Sequence, residues 1–512
     1  MILKDEILVR HSQKYPDKVA IVFEDKRFTF RELNDRVNSL TQALMGLGVT
    51  KGDRIAIVAD NCHQYLEIAL AGVKGGMVII PLNPNLSQRD LSYLINNSEA
   101  NTVIFSQNYA DSINALRDEL ENVRNFIVIG KLEGIKSYEE LVASYPAKEP
   151  QVKVEDDDLY MLASSGGTTG LPKQAMHTYK SIVVMMFDMI YIFGMRHEDI
   201  NLYAMPFFSG PTIVLGPFSH LYMGSTIVIP KELTPHSILK AIDKEKVSNL
   251  LLGTPLIPAL VNSPDVNKYD HSSLCRFVIS GAPISVEGFN QAAKVFGNIF
   301  AMVYAATEIS PMTYLPPEEI VFEGSEKVKA SSCGKETLSA EVRIIDEQGN
   351  DMPRGRVGEV IAKGKHMMAG YWKASKATEE AMRGGYFYTG DLGKMDEEGY
   401  LYLIGRRKDV ITSQGKLISP SEVEDIIYSH PSVLEVAVIG IPDEQLGEAV
   451  KAIIALRPGA RATIEDIIGL CRNYLPSHAI PSSVEFVDSL PKSAFGKILK
   501  RELKDKYAER AT

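Results

Sequence analysis

Cysteine is scarce in this 512-residue chain: Cys62, Cys275, Cys333 and Cys471 are far apart and form no C-x-x-C pair. That spacing excludes a disulfide framework and fits reduced cytosolic thiols, so a cytoplasmic location is expected. A basic excess is missing too. Lys+Arg 55 against Asp+Glu 65 gives a formal charge of -10, which repels a phosphate backbone, so no nucleic-acid partner is expected. The ten histidines include no H-x-x-x-H pair and none stands beside a cysteine, leaving no zinc spacing. Long apolar runs are also lacking. The richest, Ser181 to Phe193, is 13 residues long and contains Asp188; it is too short to cross a bilayer and reads as a buried helix, so no integral membrane segment is expected. The N-terminal Met1-Ile2-Leu3-Lys4-Asp5-Glu6 puts acids where a signal peptide needs apolar residues, so export is not expected either. Glycine and proline, 38 and 26 residues, are ordinary in amount and no fixed repeat is evident, which excludes collagen-like, solenoid and disordered classes.

What is present is a large α/β pattern. From residue 28 to about 300, helical stretches alternate with short β-rich runs: Thr29 to Gly48, then Arg54 to Val58, Gln64 to Lys74 and Met77 to Pro81. This alternation predicts βαβ units on a parallel sheet. The runs Asn249 to Gly253, Arg276 to Ser280 and Ile299 to Val303 predict a second sheet. Between about 331 and 404, short alternating strands split by glycines and acidic turns predict an antiparallel unit, a small β-barrel. A compact α+β unit then follows, with helices at Ser421 to Tyr428 and Ile464 to Tyr474 and strands at Val433 to Gly440 and Val450 to Leu456.

One segment stands out chemically. Ser164-Ser165-Gly166-Gly167-Thr168-Thr169-Gly170-Leu171-Pro172-Lys173 directly follows the apolar run Leu159 to Ala163. Its glycines let backbone N–H groups turn toward one point, its threonines add hydroxyls and Lys173 adds a cation, a composition suited to polyphosphate oxygens. It is not a Walker A loop, because Leu171-Pro172 separates Gly170 from the lysine. Taken alone, it also reads as a mobile surface loop. Downstream, Tyr304-Ala305-Ala306-Thr307-Glu308 ends a buried strand with a carboxylate able to hold Mg²⁺ and an aromatic able to stack on adenine. Alone, Glu308 equally reads as a helix-capping acid.

Together these segments resemble the adenylate-forming (ANL) superfamily of acyl-CoA synthetases, luciferases and adenylation domains. The resemblance continues through Ser280-Gly281-Ala282-Pro283, Gly358-Glu359-Val360, Gly370-Tyr371-Trp372, Tyr388-Thr389-Gly390-Asp391, Gly405-Arg406-Arg407-Lys408-Asp409 and Pro491-Lys492-Ser493-Ala494-Phe495-Gly496-Lys497. These landmarks keep the family order across residues 159 to 497.

The resemblance implies a large N-terminal domain over 1–404, with two sheet subdomains to about 330 and a barrel over about 331–404. A hinge at 405–409 and a small mobile α+β domain over 410–512 follow. It implies ATP, Mg²⁺ and CoA as the molecules used. Lys497, Glu308 and Arg406 are then the catalytic candidates, with Thr168 and Glu308 toward the metal. The nucleotide would lie against Ser165, Gly166, Gly167, Thr168, Thr169, Gly170, Lys173, Gly281, Ala282, Pro283, Tyr304, Ala305, Thr307, Asp391 and Arg406. Lys408 is the implied hinge residue and Gly415 the implied face of the CoA tunnel. The acyl pocket falls on Phe207, Phe208, Ser209 and Ala305, although Phe207 and Phe208 equally read as core.

This chain departs from the common pattern at Gly166, Gln174 and Tyr179, where serine, glycine and histidine are usual, and at Ser209, where many members carry histidine. Met205 to Pro211 contains no aspartate where the amino-acid-activating members place one, so the resemblance disfavours amino-acid substrates. The small Ala305 leaves room for a medium-sized aliphatic, alicyclic or aryl acid. Two alternatives stay open: loading of a carrier-protein phosphopantetheine, and a non-catalytic nucleotide-binding role. A homodimer also stays open.

Overall fold

The computed structural model describes residues 7–165, 172–281, 284, 286–320, 329, 331–443, 445–491 and 498–508. Val- and Ile-rich runs form buried parallel strands, and polar caps start the helices between them. Thr29 caps the helix Phe30–Gly46: its hydroxyl accepts from the Glu32 amide at 3.2 Å while the Glu32 carboxylate takes the Thr29 amide at 2.8 Å, satisfying two orphan donors reciprocally.

Four sheets organise the described residues. In the seven-stranded sheet the order is Lys136–Ser137, Asn125–Ile129, Thr102–Ser106, Arg54–Val58, Val78–Leu82, Leu159–Ser165, Lys173–Thr178. It is parallel except for the last pair, an antiparallel hairpin. The nine-stranded sheet has four parallel neighbours at its centre, Phe300–Ala306, Arg276–Ser280, Asn249–Gly253 and Ile200–Ala204. Its far edge is Thr226–Ile229, Val19–Phe23 and Lys26–Thr29. The N-terminal strand therefore joins the second sheet, while the chain next builds the first. One contiguous buried cluster takes Ile55, Ile79 and Met161 from the first sheet and Ile227, Val278 and Ala301 from the second. The helices His63–Gly75 and Tyr179–Phe193 supply Tyr65, Leu66, Ile182 and Met185 to the same cluster.

The helix Tyr179–Phe193 is buried around most of its girth, as expected, but a narrow stripe stays open, with Phe187 and Tyr191 40% and 57% exposed. Its apolar composition hid this asymmetry. Asp188, inside the apolar window, is 2% exposed and accepts from Thr337 Oγ1 at 3.1 Å and Ser339 Oγ at 3.0 Å, so a buried carboxylate is compensated by two hydroxyls.

Behind the first sheet lies a buried ionic knot. The Glu67 carboxylate, 0% exposed, accepts from Arg36 Nε at 2.9 Å, His63 Nδ1 at 2.8 Å and the Tyr138 hydroxyl at 2.7 Å. It joins the helices Phe30–Gly46, His63–Gly75 and Tyr138–Ser144.

The antiparallel unit is a five-stranded sheet built on Ala340–Ile345, Gly358–Gly364, Tyr386–Met395 and Leu401–Arg406, with Met382–Arg383 on Tyr386–Met395. Its segment 369–372 leaves the sheet and pairs with Lys173–Thr178: Met176 N donates to Gly370 O at 2.9 Å and Trp372 N to Gln174 O at 2.8 Å. The final α+β unit packs the helices Pro420–Tyr428 and Ile464–Tyr474 on strands including Val433–Asp443 and Gly447–Leu456.

Candidate active site

In open α/β sheets ligands settle beyond the carboxyl ends of the parallel strands. Three of the four central neighbours deliver sequence-predicted residues there. Met205 to Pro211 follow Ile200–Ala204, Gly281 follows Arg276–Ser280, and Tyr304 to Thr307 close Phe300–Ala306. Strand Phe300–Ala306 turns back on Ile309–Leu315 through Thr307 and Glu308 alone, so Glu308 sits at a hairpin tip.

The first cluster surrounds Asp391. This residue is 7% exposed, and Tyr304 donates its phenolic O–H to Oδ2. Arg406 is the direct cross-strand partner of Asp391 and places Nε 2.9 Å from Oδ1. A second Arg406 nitrogen donates to the Thr389 carbonyl at 2.7 Å, and the Asp391 amide is tied to Thr389 Oγ1 at 3.0 Å. Burial, followed by the Asp391 charge, holds the Tyr304 phenol well above its usual pKa. The group remains a donor at neutral pH.

The second cluster surrounds Glu308. Its side chain is nearly buried, at 8% exposure, and Oε1 accepts the Tyr371 hydroxyl at 2.7 Å. The ammonium of Lys173 lies over the Tyr371 ring, 5.2 Å from its centroid, within cation–π range. Tyr371 itself is placed by a backbone bridge to Ala175. Its phenol is raised above the usual value, by burial first and Glu308 second, and the charge of Arg406 reaches it as well. Among the described residues no partner occupies Glu308 Oε2. A lone carboxylate oxygen fits a hard cation shared with phosphates better than an all-protein cage, and no group of three metal-ligating side chains occurs among the described residues.

Behind the tip, His177 is fully buried and donates Nε2–H to the Thr307 carbonyl at 2.9 Å. Burial lowers its pKa to about 4, so it is a neutral prop. In front, Gly210 adopts φ +60°, and a Cβ there would lie 3.3 Å from Thr307 Oγ1, which brings the Met205 to Pro211 loop against the hairpin. Phe207 is 0% exposed, packed on Tyr65 and Tyr203 with centroids at 5.5 and 5.3 Å. Phe208 is 8% exposed, while Ser209 and Ala305 are half-buried.

Ser165 and Lys173 are cross-strand partners at the base of the Gly/Thr loop. Strands on both sides distinguish the loop from a strand-to-helix P-loop. Gly166, Gly167, Thr168, Thr169, Gly170, Ala282, Pro283 and Lys497 lie outside the described residues. The Lys408 carbonyl accepts from Lys504 Nζ at 2.9 Å, and Arg407 pairs with Glu359 at 3.2 Å, so this basic run is engaged by partners. Gln414 and Gly415, at φ +53° and +72°, form a two-residue hairpin turn between Ile411–Ser413 and Lys416–Ile418, the geometry of a type I′ turn.

Three contributors escaped sequence reading. Tyr371 lay in a motif read as part of the barrel, His177 had no recognisable pattern, and Thr389 lay unremarked inside Tyr388 to Asp391. For Tyr371 the Gly-Tyr-Trp string was the available signal.

Two charged clusters on one hairpin, at the carboxyl ends of the parallel strands, define a polar cleft, and comparison with known proteins gives its class. The model of the AMP-binding enzyme family matches residues 8–372, and that of the AMP-binding enzyme C-terminal domain matches residues 422–497. The chain is 30% identical to a long-chain-fatty-acid–CoA ligase of Escherichia coli, covering 96% of this chain and 92% of that one. It is equally 30% identical to a feruloyl-CoA synthase of Amycolatopsis, covering 98% of each. ATP-bound MatB from Rhodopseudomonas palustris superposes with a TM-score of 0.89 at 25% identity, covering 99% of this chain and 100% of that one. The chain belongs to the AMP-binding enzyme family, within the adenylate-forming superfamily, and is an enzyme of the acyl-CoA synthetase type.

Proposed function

We propose that the enzyme activates a carboxylic acid with ATP as an acyl-adenylate, releasing pyrophosphate, and passes the acyl group to the thiol of CoA, releasing AMP. The observation that carries this reading is the hairpin formed by Phe300–Ala306 and Ile309–Leu315. Its Tyr304 meets Asp391, which pairs with Arg406, while its Glu308 meets Tyr371, on which Lys173 is stacked. One hairpin thus serves a ribose-accepting carboxylate with its cation and, four residues on, a phosphate-side carboxylate with another.

Adenylyl transfer depends on placement and neutralisation of developing charge more than on proton transfer. Lys173, Arg406 and Lys497 supply positive charge to the phosphates and the acid. Lys497 bridges the acid and the α-phosphate, and losing it costs on the order of 3 kcal/mol in the adenylation barrier and less in the thiol step. Glu308 and Thr168 hold Mg²⁺, which supplies charge neutralisation at the phosphates. Between half-reactions the unit beyond the 405–409 hinge turns about Lys408 and brings the Gly415 face to the cleft. ATP in bound MatB and CoA in the relatives' names support this assignment.

For the acid, the small Ala305 and the absence of an aspartate from Met205 to Pro211 favour a medium-sized aliphatic, alicyclic or aryl carboxylate without an ammonium group. The equal identities to a long-chain-fatty-acid ligase and a feruloyl-CoA synthase support an aliphatic or aryl acid. Pyrophosphate release by purified protein with Mg-ATP and a panel of such acids, with and without CoA, tests the reading. Sustained release only with CoA is expected. Release indifferent to CoA would point to a carrier-protein acceptor, and silence with bound ATP would overturn catalysis.

A further inference from the structure

Tyr371 belongs to the antiparallel unit, yet its side chain reaches into the phosphate side of the cleft. It is 8% exposed, its hydroxyl donates to Glu308 Oε1 at 2.7 Å, and its ring carries the Lys173 ammonium at 5.2 Å. Each contact alone has an ordinary structural reading. Their coincidence on one ring does not, because the ring joins the carboxylate and the cation that must be spaced for one polyphosphate.

The backbone makes this ring a fixed point. The segment 369–372 is zipped to Lys173–Thr178: Ala369 N donates to Met176 O at 2.8 Å, Met176 N to Gly370 O at 2.9 Å and Trp372 N to Gln174 O at 2.8 Å. Tyr371 is therefore registered to the strand that begins at Lys173. From the other side, His177 on that strand holds the Thr307 carbonyl, one residue from Glu308. Lys173, Tyr371 and Glu308 thus form a small frame whose members come from three different parts of the chain.

We propose that Tyr371 is a positioning residue for the metal–nucleotide complex: its hydroxyl pins one Glu308 oxygen so that the other faces the cation, and its ring seats Lys173 for the phosphates. This deepens the reading given under Proposed function and rests on it. The hydroxyl and the ring have separable duties. Tyr371→Phe keeps the ring and the packing but frees Glu308, whereas Tyr371→Leu also unseats Lys173.

The test measures binding to purified wild type, Tyr371→Phe, Tyr371→Leu, Glu308→Gln and the Glu308→Gln/Tyr371→Phe double variant. Mn²⁺ affinity is read by electron paramagnetic resonance in the presence of a non-hydrolysable ATP analogue. Calorimetry reads the analogue's affinity without metal. Thioester formation from preformed acyl-adenylate and CoA is the control that a general structural defect would depress. Tyr371→Phe is expected to weaken Mn²⁺ binding roughly tenfold or more, the value of one lost charge-assisted hydrogen bond, a larger loss than in metal-free nucleotide affinity or thioester formation. Tyr371→Leu is expected to weaken metal-free nucleotide binding as well. In the Glu308→Gln background, Tyr371→Phe should add no further loss. Wild-type Mn²⁺ affinity in Tyr371→Phe, or equal losses in all three measurements, overturns the inference while leaving the synthetase reading intact. A wild-type protein that binds neither nucleotide nor Mn²⁺ overturns that reading first and this inference with it.

Discussion

Asp391 and Arg406 face each other across an antiparallel ladder, and the guanidinium Nε lies 2.9 Å from Asp391 Oδ1. The arginine side chain is 46% exposed, so the pair contributes at most about 1 kcal/mol to stability. Its value lies in orientation. With Tyr304 on the other oxygen, the carboxylate is held in one orientation, preset for the ribose hydroxyl that the proposed function assigns to it. Arg406→Ala is expected to weaken AMP binding roughly tenfold, one charge-assisted hydrogen bond, while the denaturation midpoint hardly moves. Unchanged AMP affinity in calorimetry would sink the assignment.

Acid should destabilise the fold through three histidines. His177, His220 and His366 are 0% exposed and donate one ring N–H each to the carbonyls of Thr307, Gly216 and Pro311. Among the described residues their second nitrogens have no partner. Burial lowers each pKa to about 4, against 6.5 in the open chain. Between those values the unfolded chain binds more protons than the folded one. Stability is therefore fully present above pH 6.5 and lost as pH falls toward 4, by up to about 3 kcal/mol per histidine. Urea midpoints should be lower at pH 5 than at pH 7.5, and His366→Gln should flatten the difference. Equal midpoints at both pH values would refute the account.

The Glu67 knot makes a stability prediction remote from the cleft. Burial alone would push this carboxyl up, but the hydrogen bonds from His63 and Arg36 outweigh burial and hold it below the usual range. Glu67→Gln removes the charge that the Arg36 guanidinium and the His63 ring face. A loss of about 3–5 kcal/mol is expected, measured by denaturation at pH 7, with turnover of the surviving folded protein unchanged. A loss below 1 kcal/mol would show that Glu139, which also reaches Arg36 at 3.0 Å, suffices alone.

Gly210 tests how closely the Met205 to Pro211 loop is fitted to the hairpin. At φ +60° an alanine costs roughly 1–2 kcal/mol, and its Cβ would press toward Thr307 Oγ1 from 3.3 Å. Gly210→Ala should lower kcat/KM severalfold by displacing the tip, with only that modest stability loss. Wild-type kcat/KM would mean that the loop yields instead.

Much of the scaffold was legible because β-branched runs are short and bounded: Asn249–Gly253 and Arg276–Ser280 are strands over the span their composition indicates. Residues such as Tyr304, Asp391 and Arg406 were legible as motif members, and folding brings them into contact. Tyr371 was not, because its role arises from pairing 369–372 with a strand nearly two hundred residues earlier, a register no local pattern encodes. His177 was hidden for the same reason, its partner carbonyl lying in the distant hairpin. For the helix Tyr179–Phe193, hydrophobic content announced a buried element but, unlike hydrophobic period, did not say which stripe stays open.

The strand Val19–Phe23 emerges early in synthesis but finds its parallel partner only in Thr226–Ile229, with Ile21 opposite Ile227. At ordinary ribosomal speeds of about 5–20 residues per second, that partner is about 10–40 s behind it. Through that interval the apolar strand, paired only with its neighbour Lys26–Thr29, waits with one edge open, a natural client for a chaperone. Splitting the gene after the first sheet would leave one fragment carrying an orphan hairpin and the other a bare sheet edge. The two halves should therefore be soluble only when co-expressed, making the N-terminal strand the molecular signature of a chain that must be finished before it can be safe.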